Sequence, residues 1–314
     1  MIREDGHPHV MKSLPEITAM TVLEDKRNLS PEAVVYATDF SLSAQNAGAY
    51  ATRLAAGFCC KLLVAHAFTL SQAAMEVEID STAISQQRRE LKALLSRRAS
   101  LLSEHAVEAI PILIEGDPKE VLPGLAEEYA PSLIVLGTHG GGRFARGVIG
   151  SVAEQILRST RWPSLTVGPQ VRPVSSTTFP LRRILFATDF TSAAAQAAAY
   201  AVSFAESLGA GIDVLNVIGD DAISHPVRLA DLQARFYGAL DGIVPQQAKD
   251  FCDPGTYVAV GKAHDRILEH IRERSIDLLV LGLRKTSHLG LEMRTSGAFR
   301  IIVDAECPVL TIRR

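Results

Sequence analysis

The chain has 314 residues, of which 47% are hydrophobic and 21% charged, with a formal net charge of −3. Composition of this kind excludes a largely disordered chain, and the slight acidic excess argues against a general nucleic-acid-binding protein. No apolar run reaches the roughly 18–20 residues that a membrane span needs. We expect about two domains in a cytoplasmic protein with no membrane contact, whose four cysteines are buried thiols.

Strands and helices alternate along the first half of the chain. An apolar run at Ala33–Thr38 predicts a strand buried on both faces, followed by an Ala-rich helix that Ser41 or Ser43 caps and that ends near Gly57. The next predicted elements are strand Cys59–Phe68, helix Gln86–His105, strand Val107–Glu115, helix Pro118–Tyr129, strand Leu133–Gly137, helix Ser151–Thr160 and strand Ser164–Val167. This alternation predicts a parallel, doubly wound α/β sheet.

The second half of the chain repeats the first. The segment Ala33–Ser41 returns as Arg183–Thr191, and Leu133–Gly137 returns as Leu278–Gly282. Similarity in the same order along both halves indicates a tandem duplication rather than two unrelated domains.

The repeat also sets the expected domain boundaries. We expect an N-terminal extension at residues 1–28, a first domain at 29–169, a linker at 170–180 and a second domain at 181–314. The extension is charged and has no continuous apolar stretch, so we do not expect a secretory signal. Prolines and a run of Ser and Thr indicate the linker.

A glycine-rich segment, residues 137–152, leaves the fourth predicted strand and enters a helix. In open α/β sheets, ligands bind at the carboxyl ends of the strands, and the amides at a helix N-terminus favour phosphate. The glycines allow positive φ and a close approach of the backbone, Ser151 adds a hydroxyl, and Arg143 adds a positive charge. The segment therefore predicts a phosphate-binding loop; the alternative is a long flexible loop.

The spacing of this segment resembles the G-x2-G-x9-G-(S/T) motif of ATP-binding universal stress proteins. The residues that match the motif are Gly137, Gly140, Gly150 and Ser151. Thr38–Ser41 after the first strand and His66 near the end of the second also resemble that family. The resemblance implies two tandem Rossmann-like domains, each with a five-stranded, mostly parallel sheet in the order 3-2-1-4-5 between helices.

The resemblance further implies an adenine-nucleotide site in the first domain, for ATP, ADP or AMP, whose phosphates can carry Mg²⁺. Asp39 would lie beside the nucleoside, and Ala67 would pack on the adenine. The glycines would admit the ribose and phosphates, which Gly150, Ser151 and the Val152 amide would hold. The complete set is Ala37, Thr38, Asp39, Ala67, Gly137, Thr138, His139, Gly140, Arg143, Gly150, Ser151 and Val152.

Three of the polar residues have alternative interpretations. Asp39 is also a favoured residue for capping the helix that follows it. His66 is expected in the core rather than in direct contact with a ligand, and His139 suits a solvated loop as well as a ligand contact. Neither histidine has partners at metal-ligand spacing, so no metal site is predicted.

The second copy departs from the motif. Lys285 and Thr295 stand where the first copy has glycines, so side chains replace backbone at the phosphates. We therefore predict that the second copy does not bind ATP in the manner of the family. Lys285 or Arg294 would fill the empty phosphate region with positive charge.

The resulting hypothesis is a stress-response regulatory protein that binds a nucleotide in its first domain. The second domain would complete an intramolecular pseudo-dimer, in which Ser164–Val167 pairs with Val309–Ile312, and a further homodimer is compatible with it. The alternatives are a nucleotide-independent interaction scaffold and a slow ATPase or self-phosphorylating protein, for which His139 is a weak candidate base. No catalytic residue is assigned, and an adenylating enzyme is disfavoured because no SGGxDS-type loop follows the first strand.

Overall fold

A computed structural model describes residues 29–69, 81–103, 107–130, 132–139, 149–174, 181–220, 226–284 and 297–313. The strands of the first half are β1 Ala33–Ala37, β2 Lys61–Phe68, β3 Ala109–Glu115, β4 Ser132–Gly137 and β5 Ser164–Val167. Its helices are α1 Leu42–Phe58, α2 Ser81–Leu102, α3 Pro118–Glu128 and α4 Ser151–Ser159. The N-terminal extension and the predicted residues Gly140, Arg143, Lys285, Arg294 and Thr295 lie outside the described residues.

The second half repeats this arrangement with one additional helix among its described residues. Its strands are β6 Arg183–Thr188, β7 Gly211–Ile218, β8 Gly255–Val260, β9 Leu278–Leu283 and β10 Val309–Arg313. Its helices are α5 Ser192–Leu208, α6 Pro226–Asp241, α7 Gln246–Cys252, α8 Ala263–Glu273 and α9 Gly297–Asp304.

All ten strands form one sheet in the order β3-β2-β1-β4-β5-β10-β9-β6-β7-β8. Neighbouring strands are parallel within each half, and β5 and β10 are antiparallel. Each half therefore has the predicted α/β fold and the predicted order 3-2-1-4-5. Every residue of β1 is buried, because helices cover both faces of a parallel sheet.

The helix after β1 begins and ends at well-defined caps. The Ser41 hydroxyl accepts the N–H of Ala44 at 3.2 Å, so Ser41 is the N-cap and Ser43 is not. At the other end, Cys59 takes the left-handed conformation with φ of 52°, as Gly209 does after α5. The predicted strand Cys59–Phe68 therefore starts late, at Lys61.

The expectation that all four cysteines are buried is wrong for two of them. All four are thiols, and Cys252 and Cys307 are buried, but Cys59 is exposed and Cys60 is half-buried. Their position at the end of α1, rather than within a strand, brings them towards the surface. Burial raises the pKa of the Cys60 thiol to about 11, with a smaller contribution from the neighbouring Cys59.

The two halves meet at a seam between β5 and β10. The Thr311 hydroxyl donates to the carbonyl oxygen of Ser164 at 3.0 Å, and the Thr166 hydroxyl donates to that of Val309 at 3.2 Å. The prediction that the terminal strands pair in an intramolecular pseudo-dimer is therefore confirmed. No helix in the part of the chain described is long and apolar enough to cross a membrane.

A charged cluster is buried in the second half. The carboxylate of Asp213 is completely buried in β7 and lies 3.0 Å from Nε2 of His270. The Nε atoms of Arg183 and Arg274 lie 3.2 and 3.3 Å from the same carboxylate. Three partners around one buried carboxylate satisfy the requirement that a buried charge be paired.

Candidate functional site

A cavity of about 170 Å³, here named the first cavity, opens at the carboxyl ends of β1, β2 and β4. This is the edge at which open α/β sheets bind their ligands. The predicted site residues on its wall are Ala37, Thr38, Asp39, Ala67, Gly137, Thr138, His139, Gly150, Ser151 and Val152. These are all the members of the predicted set that the structure describes.

The rest of the wall is formed by residues that the sequence did not identify as site residues. They are Ala44, Ala65, His66, Pro118, Leu122, Leu136 and Ala153. Two signals would have found some of them. Ala65 lies two residues before Ala67 and so faces the same side of β2, and Pro118 and Leu122 are one helical turn apart at the start of α3.

The turn after β1 places Asp39 at the cavity. Phe40 has φ of 64°, which is uncommon for a bulky residue, and its N–H is fixed by the Thr38 hydroxyl at 3.1 Å. The Oδ1 atom of Asp39 accepts the N–H of Ser41 at 3.0 Å. Since Ser41 is the residue that caps α1, the alternative interpretation of Asp39 as the helix cap is wrong.

His66 is half-buried on the cavity wall, so the expectation of a core histidine is wrong. Its Nδ1 atom lies 2.7 Å from the carbonyl oxygen of Thr38, and its ring packs on Phe40 at 4.6 Å between centroids. The contact needs a proton on Nδ1, because a carbonyl oxygen only accepts. His66 therefore links the ends of β1 and β2.

The two ends of the glycine-rich segment are held together by backbone hydrogen bonds. The N–H of Gly150 donates to the carbonyl oxygen of Thr138 at 2.7 Å, and the N–H of Thr138 donates to that of Val167 at 3.0 Å. The Thr138 hydroxyl is buried and lies 2.8 Å from Nδ1 of His139. His139 is half-buried on the cavity wall rather than solvated in a loop.

Gly137 and Gly150 lie close to neighbouring atoms of the protein and do not need the positive φ that was expected of glycines here. Neither Gly137 nor Gly150 has positive φ. A Cβ on Gly137 would lie 3.0 Å from the carbonyl carbon of Ser43, and one on Gly150 would lie 3.0 Å from the Thr138 oxygen. Close packing against Ser43 and Thr138 therefore leaves little room for a Cβ at either position.

The helix α4 starts at the cavity. Its N-cap is Gly150, which has no side chain to accept the amides of the first turn, and Ser151 and Val152 of that turn line the cavity. A helix start without a side-chain cap offers N–H groups and a partial positive charge to an anion. The wall also includes small apolar side chains, Ala65 and Ala67. The cavity thus combines an apolar slot with a helix start that has no side-chain cap.

The second half has a corresponding cavity of about 390 Å³, here named the second cavity. Thr188 and Asp189 repeat Thr38 and Asp39 on its wall. Gly282 is also retained, and a Cβ there would lie 2.5 Å from the carbonyl group of Ala193. Packing against α5 therefore explains this glycine without any ligand.

The polar groups of the first cavity are partly replaced in the second. Arg284 takes the position of His139, and its Nη2 lies 3.9 Å from Oδ2 of Asp189. Leu215 and Val217 stand on β7 where the first cavity has two alanines. Over the residues that the structure describes, no cluster of three His, Cys, Asp or Glu side chains is placed to hold a metal ion.

Comparison with solved structures finds the same fold in other proteins. A universal stress protein from Archaeoglobus fulgidus DSM 4304 is similar over 90% of this chain and 99% of its own, with TM-score 0.70 and 19% identity. A functionally unknown protein from Pseudomonas aeruginosa PAO1 is similar over 92% and 94%, with TM-score 0.58 and 15% identity. A universal stress protein in complex with cAMP covers 46% of this chain and 99% of its own, with TM-score 0.37 and 22% identity.

The comparison with curated proteins finds no significant match. The family model described as universal stress protein family matches the chain twice, at residues 32–168 and 180–313. These two matches fall on the two halves of the ten-stranded sheet. The chain therefore belongs to the universal stress protein family and carries its domain twice in tandem.

Proposed function

We propose that the first domain binds an adenine nucleotide, ATP, ADP or AMP, and that its occupancy regulates the interactions of the protein in a stress response. The observation that carries the proposal is the meeting of an apolar slot and an uncapped helix start in the first cavity. The second domain serves as the pseudo-dimer partner, since β10 covers the edge that β5 would otherwise expose.

The apolar slot suits the adenine ring. Ala65 and Ala67 leave space beside β2, whereas the second cavity has Leu215 and Val217 at these positions. Asp39 is held at the cavity by the N–H of Ser41, and we expect its carboxylate to accept a ribose hydroxyl. A purine that fills a slot of this kind gains affinity from the apolar area it buries.

The start of α4 suits the phosphates. The amides of Ser151 and Val152 and the Ser151 hydroxyl lie at the cavity, and no carboxylate other than Asp39 is among the described residues on its wall. Gly140 and Arg143 belong to the same proposal through the motif. Mg²⁺ would accompany ATP as a ligand of its phosphates, so the titration is done with and without it.

The test is a calorimetric titration of the full chain with ATP, ADP, AMP and cAMP. We expect about one site per chain and affinity for an adenine nucleotide that Ala67→Val lowers about tenfold, because the added methyl groups occupy the slot. Gly140→Lys should weaken the binding of ATP in the same way. The control is Gly124→Ala in α3, where an added Cβ meets no atom within 4 Å.

Two outcomes contradict the proposal. If no adenine nucleotide binds, a nucleotide-independent interaction scaffold becomes the better interpretation of the protein's function. If nucleotide binds but both Ala67→Val and Gly140→Lys leave the affinity unchanged, the site is not the first cavity.

A further inference from the structure

The second cavity keeps its place in the fold but changes its lining. It has about 390 Å³ where the first cavity has about 170 Å³. Gly297 stands where the first domain has Val152, and a Cβ on Gly297 would meet no atom within 4 Å. The apolar part of the wall is formed by Leu215, Val217, Ile267, Leu281, Leu283 and Phe299. A pocket of this kind suits a small ligand with an apolar body.

His264 is also on this wall, but its ring is fully engaged within the protein. Its Nδ1 lies 2.8 Å from Oδ1 of Asp265, and its Nε2 lies 2.9 Å from Oδ2 of Asp304. Because imidazole has two ring nitrogens, none is left for a ligand. His264 therefore fixes α8 to α9 and does not set the polarity of the site.

The remaining charged groups on the described wall are Asp189 and Arg284. The Oδ1 atom of Asp189 accepts the N–H of Thr191 at 3.1 Å and its hydroxyl at 2.6 Å. The Oδ2 atom lies 3.9 Å from Nη2 of Arg284, which is longer than a hydrogen bond. Asp189 and Arg284 thus form a long, exposed ion pair at the mouth of an apolar pocket, with no direct hydrogen bond between the two side chains.

We propose that the second cavity binds an α-amino acid with an apolar side chain, such as leucine or phenylalanine. Its ammonium group pairs with Oδ2 of Asp189 and its carboxylate with the guanidinium of Arg284. Its side chain lies on the apolar wall. An α-amino acid has its ammonium and carboxylate groups on the same carbon atom. It therefore matches two opposite protein charges that lie 3.9 Å apart. The inference does not depend on nucleotide binding in the first domain.

The test is a calorimetric titration of the full chain with L-leucine and L-phenylalanine. Three analogues each remove one feature of leucine: glycine lacks the side chain, 4-methylpentanoate lacks the ammonium group, and 3-methylbutylamine lacks the carboxylate. We expect each analogue to bind at least about tenfold more weakly, since each loses a charged hydrogen-bonding partner or the apolar contact.

Variants locate the binding. Asp189→Asn and Arg284→Gln should each weaken leucine binding about tenfold or more, and Gly297→Val should reduce it by filling the cavity with the side chain that the first domain carries. Gly238→Ala in α6 is the control, because an added Cβ there meets no atom within 4 Å and Gly238 does not line the cavity. Circular dichroism verifies that each variant is folded.

Three results would overturn the inference. They are failure of both amino acids to bind, equal binding of the amine or the acid alone, and displacement of leucine by ATP. An affinity that neither Asp189→Asn nor Arg284→Gln changes would also exclude this site. ATP binding to the first domain is measured separately with Ala67→Val, so either proposal can fail without the other.

Discussion

The ring of His66 donates from Nδ1 to the carbonyl oxygen of Thr38 over 2.7 Å. In the second domain Asn216 makes the same connection, with its Nδ2 atom 2.8 Å from the carbonyl oxygen of Thr188. Two chemically different side chains therefore perform one task at matching places. Each side chain connects the last part of its strand to the following turn, and both halves have the sequence Thr-Asp-Phe in that turn.

This relationship predicts that His66→Asn is tolerated and His66→Ala is not. The amide of Asn can donate to Thr38 as Asn216 does to Thr188, whereas Ala leaves that carbonyl without this donor. We expect Ala to lower the free energy of unfolding by about 1 kcal/mol and Asn by clearly less. Urea unfolding measures both, and equal losses would show that the hydrogen bond is not the stabilising contact.

The glycine at the end of β9 gives a second prediction. Gly282→Ala would place a Cβ 2.5 Å from the carbonyl atoms of Ala193, so the start of α5 must move. We expect a loss of about 2 kcal/mol in the free energy of unfolding. Gly238→Ala, inside α6 and facing open space, should instead gain about 0.5–1 kcal/mol from helix propensity. Thermal unfolding of the two variants should therefore shift in opposite directions.

The buried cluster around Asp213 predicts a dependence of stability on pH. Burial alone would raise the pKa of Asp213, but the hydrogen bond from His270 and the charges of Arg183 and Arg274 hold it below its usual value. A lowered folded-state pKa stabilises the fold above the unfolded value of about 3.9. That contribution is lost as the pH falls through the folded-state pKa.

The corresponding measurement is the free energy of unfolding between about pH 6 and pH 2 for the natural protein and Asp213→Asn. The difference between the two should be largest above about pH 4 and should shrink below it. A difference that stays constant over this range would mean that the ionised carboxylate does not stabilise the fold.

The same cluster predicts that a double substitution lowers the free energy of unfolding by less than the sum of the two single substitutions. The first domain has Leu63 and Leu125 where the second has Asp213 and His270. Asp213→Leu alone leaves the buried His270 ring and the Arg183 guanidinium without their carboxylate partner, and we expect a cost of about 3–5 kcal/mol. The double variant Asp213→Leu/His270→Leu should cost less than the sum of the two single variants in urea unfolding. Simple additivity would contradict direct coupling.

The interface between the halves gives a further prediction. Phe204 is almost completely buried and packs edge-on against Phe58 from the other half, with 4.7 Å between ring centroids. Phe204→Ala should lower the free energy of unfolding by about 3–5 kcal/mol. Phe251 is 73% exposed, so Phe251→Ala should change it by less than about 0.5 kcal/mol. Similar losses in the free energy of unfolding for both variants would show that the contact between Phe204 and Phe58 does not stabilise the protein.

Local patterns were sufficient to predict the alternation of strands and helices. An apolar run without alternation identified β1, the repeated segments predicted that the arrangement occurs twice, and the resemblance to universal stress proteins implied the strand order. The pattern was weaker at element ends: α2 starts at Ser81 rather than Gln86, because the leucines with helical spacing begin only at Leu91. The spacing of the glycines, not their individual environments, identified the edge of the sheet where the first cavity lies.

Contacts between residues far apart in the chain could not be predicted from the sequence. The sequence predicts Gly137 as a ligand glycine, but only the approach of α1 to Gly137 and of α5 to Gly282 shows how little room a side chain has at each position. The Asp213 cluster also went unnoticed, although an Asp in the middle of an apolar strand was a visible signal. Its partners come from positions far along the chain, Arg183 and His270, and their meeting depends on strand order.

The antiparallel seam determines where the two cavities open. Within each half the strands are parallel, so reversing direction between β5 and β10 points the carboxyl ends of the two halves to opposite edges of the ten-stranded sheet. One flat partner surface cannot cover both openings at once. A molecule that enters the first cavity and one that enters the second would therefore approach from opposite edges of the same continuous sheet.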